Sequence, residues 1–197
     1  MKLYKTKKNC GKLLLGILAF CTGMILLTGC GSSSEQKQNK NEETAEENKE
    51  EDKVQIGLTV DSFVIERWIR DRDVFVATAR ELGAEVNVQD AGADVKEQIS
   101  QIEYFINKQV DVIVVIARDC GALSDAIQKA QSAGIPVISY DRMVNNANTD
   151  LYISFDNRKV GEIMAQALVN ALPQGGDVFM IQGSSSDNNV QMVKTGV

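Results

Sequence analysis

The sequence predicts an α/β domain built on a doubly wound parallel sheet, and three observations predict it. Apolar runs begin at 54, 84, 110 and 135, so successive units are 25 to 30 residues long, the length a right-handed crossover needs to return beside the preceding strand. The stretches between the runs carry apolar residues at helical spacing. The run VDVIVVI at 110–116 is apolar nearly throughout, as a central strand covered on both faces should be.

Taken in order, VQIGLTV (54–60) reads as the first strand and 65–82 as the first helix. AEVNVQD (84–90) follows, then a helix near 94–108 in which Val95, Ile99, Ile102 and Ile106 share one face, with Asp94 as its cap. VDVIVVI, a helix near 121–133 and IPVISYD (135–141) complete a βαβαβαβ pattern. Pro136 falls early in its strand, where a missing N–H matters least. Further apolar runs, YISFDN at 152–157 and DVFMIQG at 177–183, flank a helix at 159–172 whose Val160, Ile163, Met164, Ala167, Leu168 and Ala171 lie on one side.

The N-terminus has the three parts of an export signal: Lys2, Lys5, Lys7, Lys8 and Lys12, an uncharged apolar run at 13–27, and Thr28-Gly29-Cys30. Fifteen uncharged residues are short for a membrane span of about 20, which favours a cleaved signal over a permanent anchor. Leu27-Thr28-Gly29-Cys30 resembles the lipobox of bacterial lipoproteins, which implies a signal peptide over 1–29 and a lipidated Cys30 as membrane anchor. From 31 to 53 the chain has no large apolar residue and reads as a disordered acidic linker, so 30–53 is lipidated cysteine plus tether.

With Cys10 and Cys21 lost in the signal and Cys30 acylated, only Cys120 remains and no internal disulfide is expected. Loss of the signal leaves 16 Lys and Arg against 27 Asp and Glu, an acidic balance that disfavours nucleic acid as a partner. The chain has no histidine, which removes the commonest general base and metal ligand.

In a doubly wound sheet, ligands bind beyond the carboxyl ends of the strands. The residues there are Asp61-Ser62, Asp90, Arg118-Asp119, Asp141-Arg142, Asp156-Asn157 and the polar run at 184–189. A single Asp at such a position is more readily a turn or helix cap than a ligand contact; the collection points to a polar ligand. The stretch TVDSFVIERW after the first strand has no glycine, so neither a dinucleotide fingerprint nor a phosphate loop is present and no cofactor is expected. Carboxylates and amides mixed with arginine suit a neutral polyol, whose hydroxyls both donate and accept.

These strand ends resemble those of the type I periplasmic binding proteins, the sugar receptors of ABC importers. The resemblance runs from 54 to the end, through ERW at 66–68, DRD at 71–73, YDRM at 140–143, YISFDN at 152–157, KVGE at 159–162, PQG at 173–175 and SDNN at 186–189. ERW and SDNN together point to the xylose branch. The resemblance implies two α/β lobes around a cleft, with Arg67, Asp141 and Arg142 on sugar hydroxyls from the first lobe, the Trp68 ring stacked on the sugar, and Asp187 and Asn189 from the second. The residues alone leave Arg67 and Trp68 open to another reading, a surface arginine beside a core tryptophan.

The resemblance further implies a first lobe at 54–157, a hinge at Asp156 and Asn157, and the start of an incomplete second lobe at 158–197, as in a truncated reading of a longer binding protein. It implies a non-catalytic, monomeric receptor at the cell surface or in the periplasm, handing a monosaccharide, in the first instance D-xylose, to an ABC permease or serving a sensor kinase. An α/β enzyme using Asp141 or Cys120 is the competing class, and the sequence offers it no base; a small buried thiol is the simpler reading of Cys120. No metal is expected.

Overall fold

The computed structural model describes residues 53–197; the expected signal peptide at 1–29, the lipidated Cys30 and the tether up to residue 52 lie outside the described residues. Five strands, β1 (Gln55–Val60), β2 (Glu85–Asp90), β3 (Val112–Ile116), β4 (Val137–Tyr140) and β5 (Leu151–Ile153), form one sheet in the order β2-β1-β3-β4-β5. Every neighbouring pair is parallel. The order reverses between β1 and β3, which makes the crevice beyond those two strands the topological switch point.

Helices α1 (Glu66–Glu81), α2 (Val95–Lys108) and α3 (Ser124–Ser132) connect the strands. Because side chains alternate along a strand, β3 serves two cores at once. Ile113 and Val115 pack with Ile102 and Phe105 of α2 and Ile127 and Ala130 of α3. Val114 and Ile116 pack with Leu58, Val60 and Trp68 on the opposite face, with Phe75, Val86, Val88, Ile138 and Tyr140 around them. The first core depends on Gly57, since a Cβ there would fall 2.6 Å from Phe105 Cγ.

Helix α2 starts where expected: the Asp94 carboxylate accepts from Lys96 N at 2.7 Å and from Glu97 N at 3.4 Å. Its polar residues on the buried side are tied to strand ends. Gln98 Nε2 donates to Ile116 O at 3.0 Å while its Oε1 accepts from Arg118 N at 2.8 Å. Gln101 Nε2 donates to Asp90 O at 2.9 Å, and its Oε1 accepts from Thr59 Oγ1 at 2.7 Å. These bonds anchor the ends of β1, β2 and β3, where the strand-end residues begin. Helix α3 starts three residues later than the periodicity suggests, because the Asp119 carboxylate accepts from Gly121 N and Ala122 N and forms a separate turn first.

After β5 come α4 (Asn157–Ala171) and α5 (Asn188–Gly196). They cross closely: a Cβ on Gly161 would meet Val193 O, and one on Gly196 would meet Arg158 O. The run at 177–183 differs from the expectation that an apolar run makes a strand. It has no strand assignment, and Phe179 and Ile181 are 95% and 99% exposed. A strand is completed by a neighbour's backbone, and the described residues give this segment none.

Candidate functional site

At the end of β4 the chain makes an unusual turn. Asp141 has φ +62°, and Arg142 N donates to Tyr140 O at 2.8 Å, an i to i+2 bond around a residue in the left-handed region. That conformation is costly for a side chain other than glycine, asparagine or aspartate. It is held by the Asp141 carbonyl, which accepts from Ser154 Oγ at 2.8 Å, Tyr152 Oη at 3.2 Å and Asn189 Nδ2 at 3.2 Å. The turn sends two adjacent side chains to different partners.

The Asp141 carboxylate is nearly buried and takes Arg67 Nη2 at 2.7 Å on Oδ2 and Asn189 Nδ2 at 2.9 Å on Oδ1. Arg67 comes from the first turn of α1, and its Nε lies 3.4 Å from Asp71 one turn later. Partial burial works against the Arg67 charge, but the hydrogen bond and charge of Asp141, with Asp71 behind it, leave its pKa above the ordinary value. Asp71 also accepts from Tyr140 Oη at 3.0 Å. Burial first, and then Asp71, pushes the Tyr140 phenol up.

Arg142 turns the other way. Its Nη1 donates to Asp61 Oδ2 at 2.6 Å, at the end of β1, and to Ala117 O at 3.2 Å, just past β3. Its Nε lies 2.9 Å from Asp187 Oδ2. Asp187 does double duty, because its Oδ1 also accepts from Asn189 N at 2.9 Å and caps α5. Asn189 Oδ1 accepts from Asn157 Nδ2 at 3.0 Å. Asn157 is buried at the first turn of α4, and Asp156 caps that helix by accepting from Lys159 N at 2.9 Å.

All six expected contact residues therefore meet. Arg67, Asp141, Arg142, Asp187 and Asn189 form one polar network, and the Arg67 and Arg142 guanidinium carbons lie 4.5 and 5.6 Å from the Trp68 ring centroid. Trp68 itself is 3% exposed and belongs to the core on that side of the sheet, with Nε1 lacking a partner among the described residues. Arg67 remains partly exposed beside it. In this arrangement guanidinium groups cover the tryptophan, so a sugar stacked on Trp68 would have to displace Arg67 or Arg142 from it.

Other strand-end carboxylates shape the backbone. Asp90 accepts from Gly92 N at 2.9 Å and Phe63 N at 3.4 Å, and Asp119 serves the turn before α3. The sequence placed Asp61 among the strand-end residues but not among the expected sugar contacts, and it did not single out Tyr152 or Ser154. The position of Asp61 directly after β1 was the available signal for it. Cys120 sits at the rim, with Asn145 Nδ2 donating to its Sγ at 3.3 Å. Burial, and then the charge of Asp119, pushes its thiol up, which works against a thiolate nucleophile. Among the described residues, no group of three or more His, Cys, Asp or Glu side chains is arranged to hold a metal ion.

The family model described as a periplasmic binding protein domain matches residues 56–197. The chain belongs to the periplasmic binding protein family. It is 48% identical over 143 residues to the D-xylose-binding periplasmic protein of Escherichia coli (strain K12), an alignment covering 73% of this chain and 43% of that protein. A protein of the same description from Haemophilus influenzae is 47% identical over 143 residues, with the same coverage of 73% and 43%. The fold matches the crystal structure of an ABC transporter solute binding protein from Clostridium phytofermentans with bound β-D-glucose, at TM-score 0.69 and 27% identity, covering 72% of this chain and 46% of that one. The chain thus spans less than half the length of the curated relatives it matches. Within this binding-protein domain, the network of Arg67, Asp141, Arg142, Asp187 and Asn189 lies at the carboxyl ends of the strands.

Proposed function

We propose that the chain is an extracytoplasmic receptor for a monosaccharide, D-xylose in the first instance, that delivers it to the permease of an ABC importer. The observation that carries this reading is the polar network, in which fixed donors from Arg67, Arg142 and Asn189 alternate with acceptors from Asp141 and Asp187 at one strand-end cluster. A hydroxyl both donates and accepts, so such a set can hold a sugar from two sides. A charged partner to a neutral hydroxyl is worth about 1.5–3 kcal/mol, and a sugar epimer that leaves one such group unpaired is rejected by a similar amount. The names of the 48% and 47% identical relatives support xylose over other sugars.

In this reading residues 54–157 are the first lobe, Asp156 and Asn157 lie at the hinge, and closure on sugar is what the membrane partner detects. The receptor is a monomer held at the cell surface or in the periplasm by a lipid on Cys30, and it does no chemistry of its own. Titration calorimetry of the protein expressed from its complete reading frame tests the reading. Xylose is expected to bind more tightly than ribose, arabinose, glucose and galactose; no heat with any pentose would overturn it. Incorporation of labelled fatty acid, lost in a Cys30→Ser variant, is expected for the anchor.

A further inference from the structure

We propose that Asp61 is a positioning residue that acts through Arg142, holding one edge of the guanidinium so that the other edge faces the ligand. The proposal deepens the sugar-receptor reading and rests on it for the identity of the ligand. A guanidinium has five N–H donors in a rigid plane. In Arg142 both Nη1 hydrogens are taken, by Asp61 Oδ2 at 2.6 Å and Ala117 O at 3.2 Å, and Nε lies 2.9 Å from Asp187. Nη2 has no hydrogen-bond partner among the described residues, which leaves it as the edge for a sugar hydroxyl.

Asp61 suits the anchoring role for three reasons. It is 0% exposed, so its charge is not screened by solvent and its position is set by packing. It directly follows β1 at the switch point, and Gln98 fixes the end of the neighbouring β3 through Ile116 O and Arg118 N. Its second oxygen, Oδ1, has no hydrogen bond among the described residues, and Arg118 Nη1 stands 3.6 Å away, within ion-pair reach. One buried carboxylate therefore separates two guanidinium groups. Remove its charge and Arg142 loses its ionic anchor on Nη1, leaving Asp187 on Nε as its carboxylate partner, while Arg118 loses the carboxylate it stands beside.

The test is a double-mutant cycle read by calorimetry with D-xylose and by the emission of Trp68, the single tryptophan of the chain, whose ring lies under the Arg142 guanidinium. Asp61→Asn keeps the side-chain shape and is expected to weaken binding about ten- to a hundredfold. It is also expected to shift the sugar-free Trp68 emission in the direction that Arg142→Ala does. In the Arg142→Ala background it is expected to add no further loss, because the effect passes through Arg142. Losses that add in the double variant, or an Asp61→Asn protein that binds like the parent, would overturn the proposal.

Arg142→Lys covers the case in which Asp61→Asn does not fold. It keeps a cation for Asp61 but has no second donor edge, so weakened binding in a protein that still unfolds cooperatively is expected, and parental affinity would overturn the proposal. If the parent takes up none of the sugars, the receptor reading fails instead. The positioning role then stands or falls on whether Trp68 emission shifts in Asp61→Asn, or in Arg142→Lys where Asp61→Asn does not fold.

Discussion

Residues up to the end of β5 and residues from α4 onward carry the same kind of sequence and reach different degrees of burial. In the first region, one-sided helices and apolar runs close on each other, and Phe105, Ile113, Val115 and Val137 are fully buried. In the second, α4 has an equally regular stripe, yet Ile163 and Met164 stay exposed, as do Phe179 and Ile181 in the extended run that follows. What differs is the partner. Periodicity determines which face of an element is apolar, but only a sheet with its neighbouring strands supplies the surface that face needs. Between α4 and α5 the contact is instead backbone on backbone, through Gly161 and Gly196.

The largest expected difference follows from that contrast. Phe105→Ala removes a ring that is 0% exposed and touches helices and strands together, and should cost about 3–5 kcal/mol in urea unfolding. Phe179→Ala, at 95% exposure, should change stability by about 0.5 kcal/mol or less. Comparable losses from the two would mean that the exposed run has a packing partner in solution, and the comparison would fail.

Glycine sharpens the same comparison at smaller amplitude. Gly57→Ala would drive a Cβ to 2.6 Å from Phe105 and should cost about 1–3 kcal/mol, with the loss spread over the whole sheet. Gly161→Ala instead pushes α4 off α5, so hydrogen exchange should speed up in α5 while β1 to β4 keep their protection. Uniform loss of protection in the second variant would tie the two regions into one cooperative unit.

These contrasts also explain what could be read in advance. The parallel order of strands followed from unit length and from the apolarity of 110–116, because both reflect local chemistry and chain reach. The cap at Asp94 was legible for the same reason. The strand-end rule, together with the family resemblance, brought Arg67, Asp141, Arg142, Asp187 and Asn189 to one place. The left-handed turn at Asp141 was not legible, since it depends on three donors to its carbonyl from Tyr152, Ser154 and Asn189. Neither was the role of Asp61, whose partner Arg142 lies 81 residues away in the chain. The extended run at 177–183 misled because apolar composition does not encode the presence of a neighbour.

Caps give the next prediction in size. Asp94→Ala and Asp187→Ala each remove a carboxylate that accepts from a helix N-terminus, worth about 1 kcal/mol. Asp94 has no other ion-pair partner among the described residues, whereas Asp187 also faces Arg142 at 2.9 Å. Asp187→Ala should therefore cost at least as much stability as Asp94→Ala, and only Asp187→Ala should change Trp68 emission. A matching spectral change in Asp94→Ala would argue against the Arg142–Asp187 contact as its cause.

The smallest effect is a pH dependence in the well-packed region. Asp150, just before β5, accepts from Val137 N at 2.9 Å and Gln131 Nε2 at 3.1 Å and so pins the start of β4. The backbone hydrogen bond from Val137, and then Gln131, holds its carboxyl below the ordinary value. A carboxyl whose native pKa is depressed binds fewer protons folded than unfolded across the window between the two values, so stability rises with pH through that window. Its contribution is present above the unfolded carboxylate range and lost as pH falls through the native value, on the acid side of about 4. The group is solvent-exposed, so the contribution is modest. Asp150→Asn should flatten the acid limb of the melting-temperature profile slightly and leave the neutral limb parallel to the parent. A changed slope above neutrality would place the linkage in some other group.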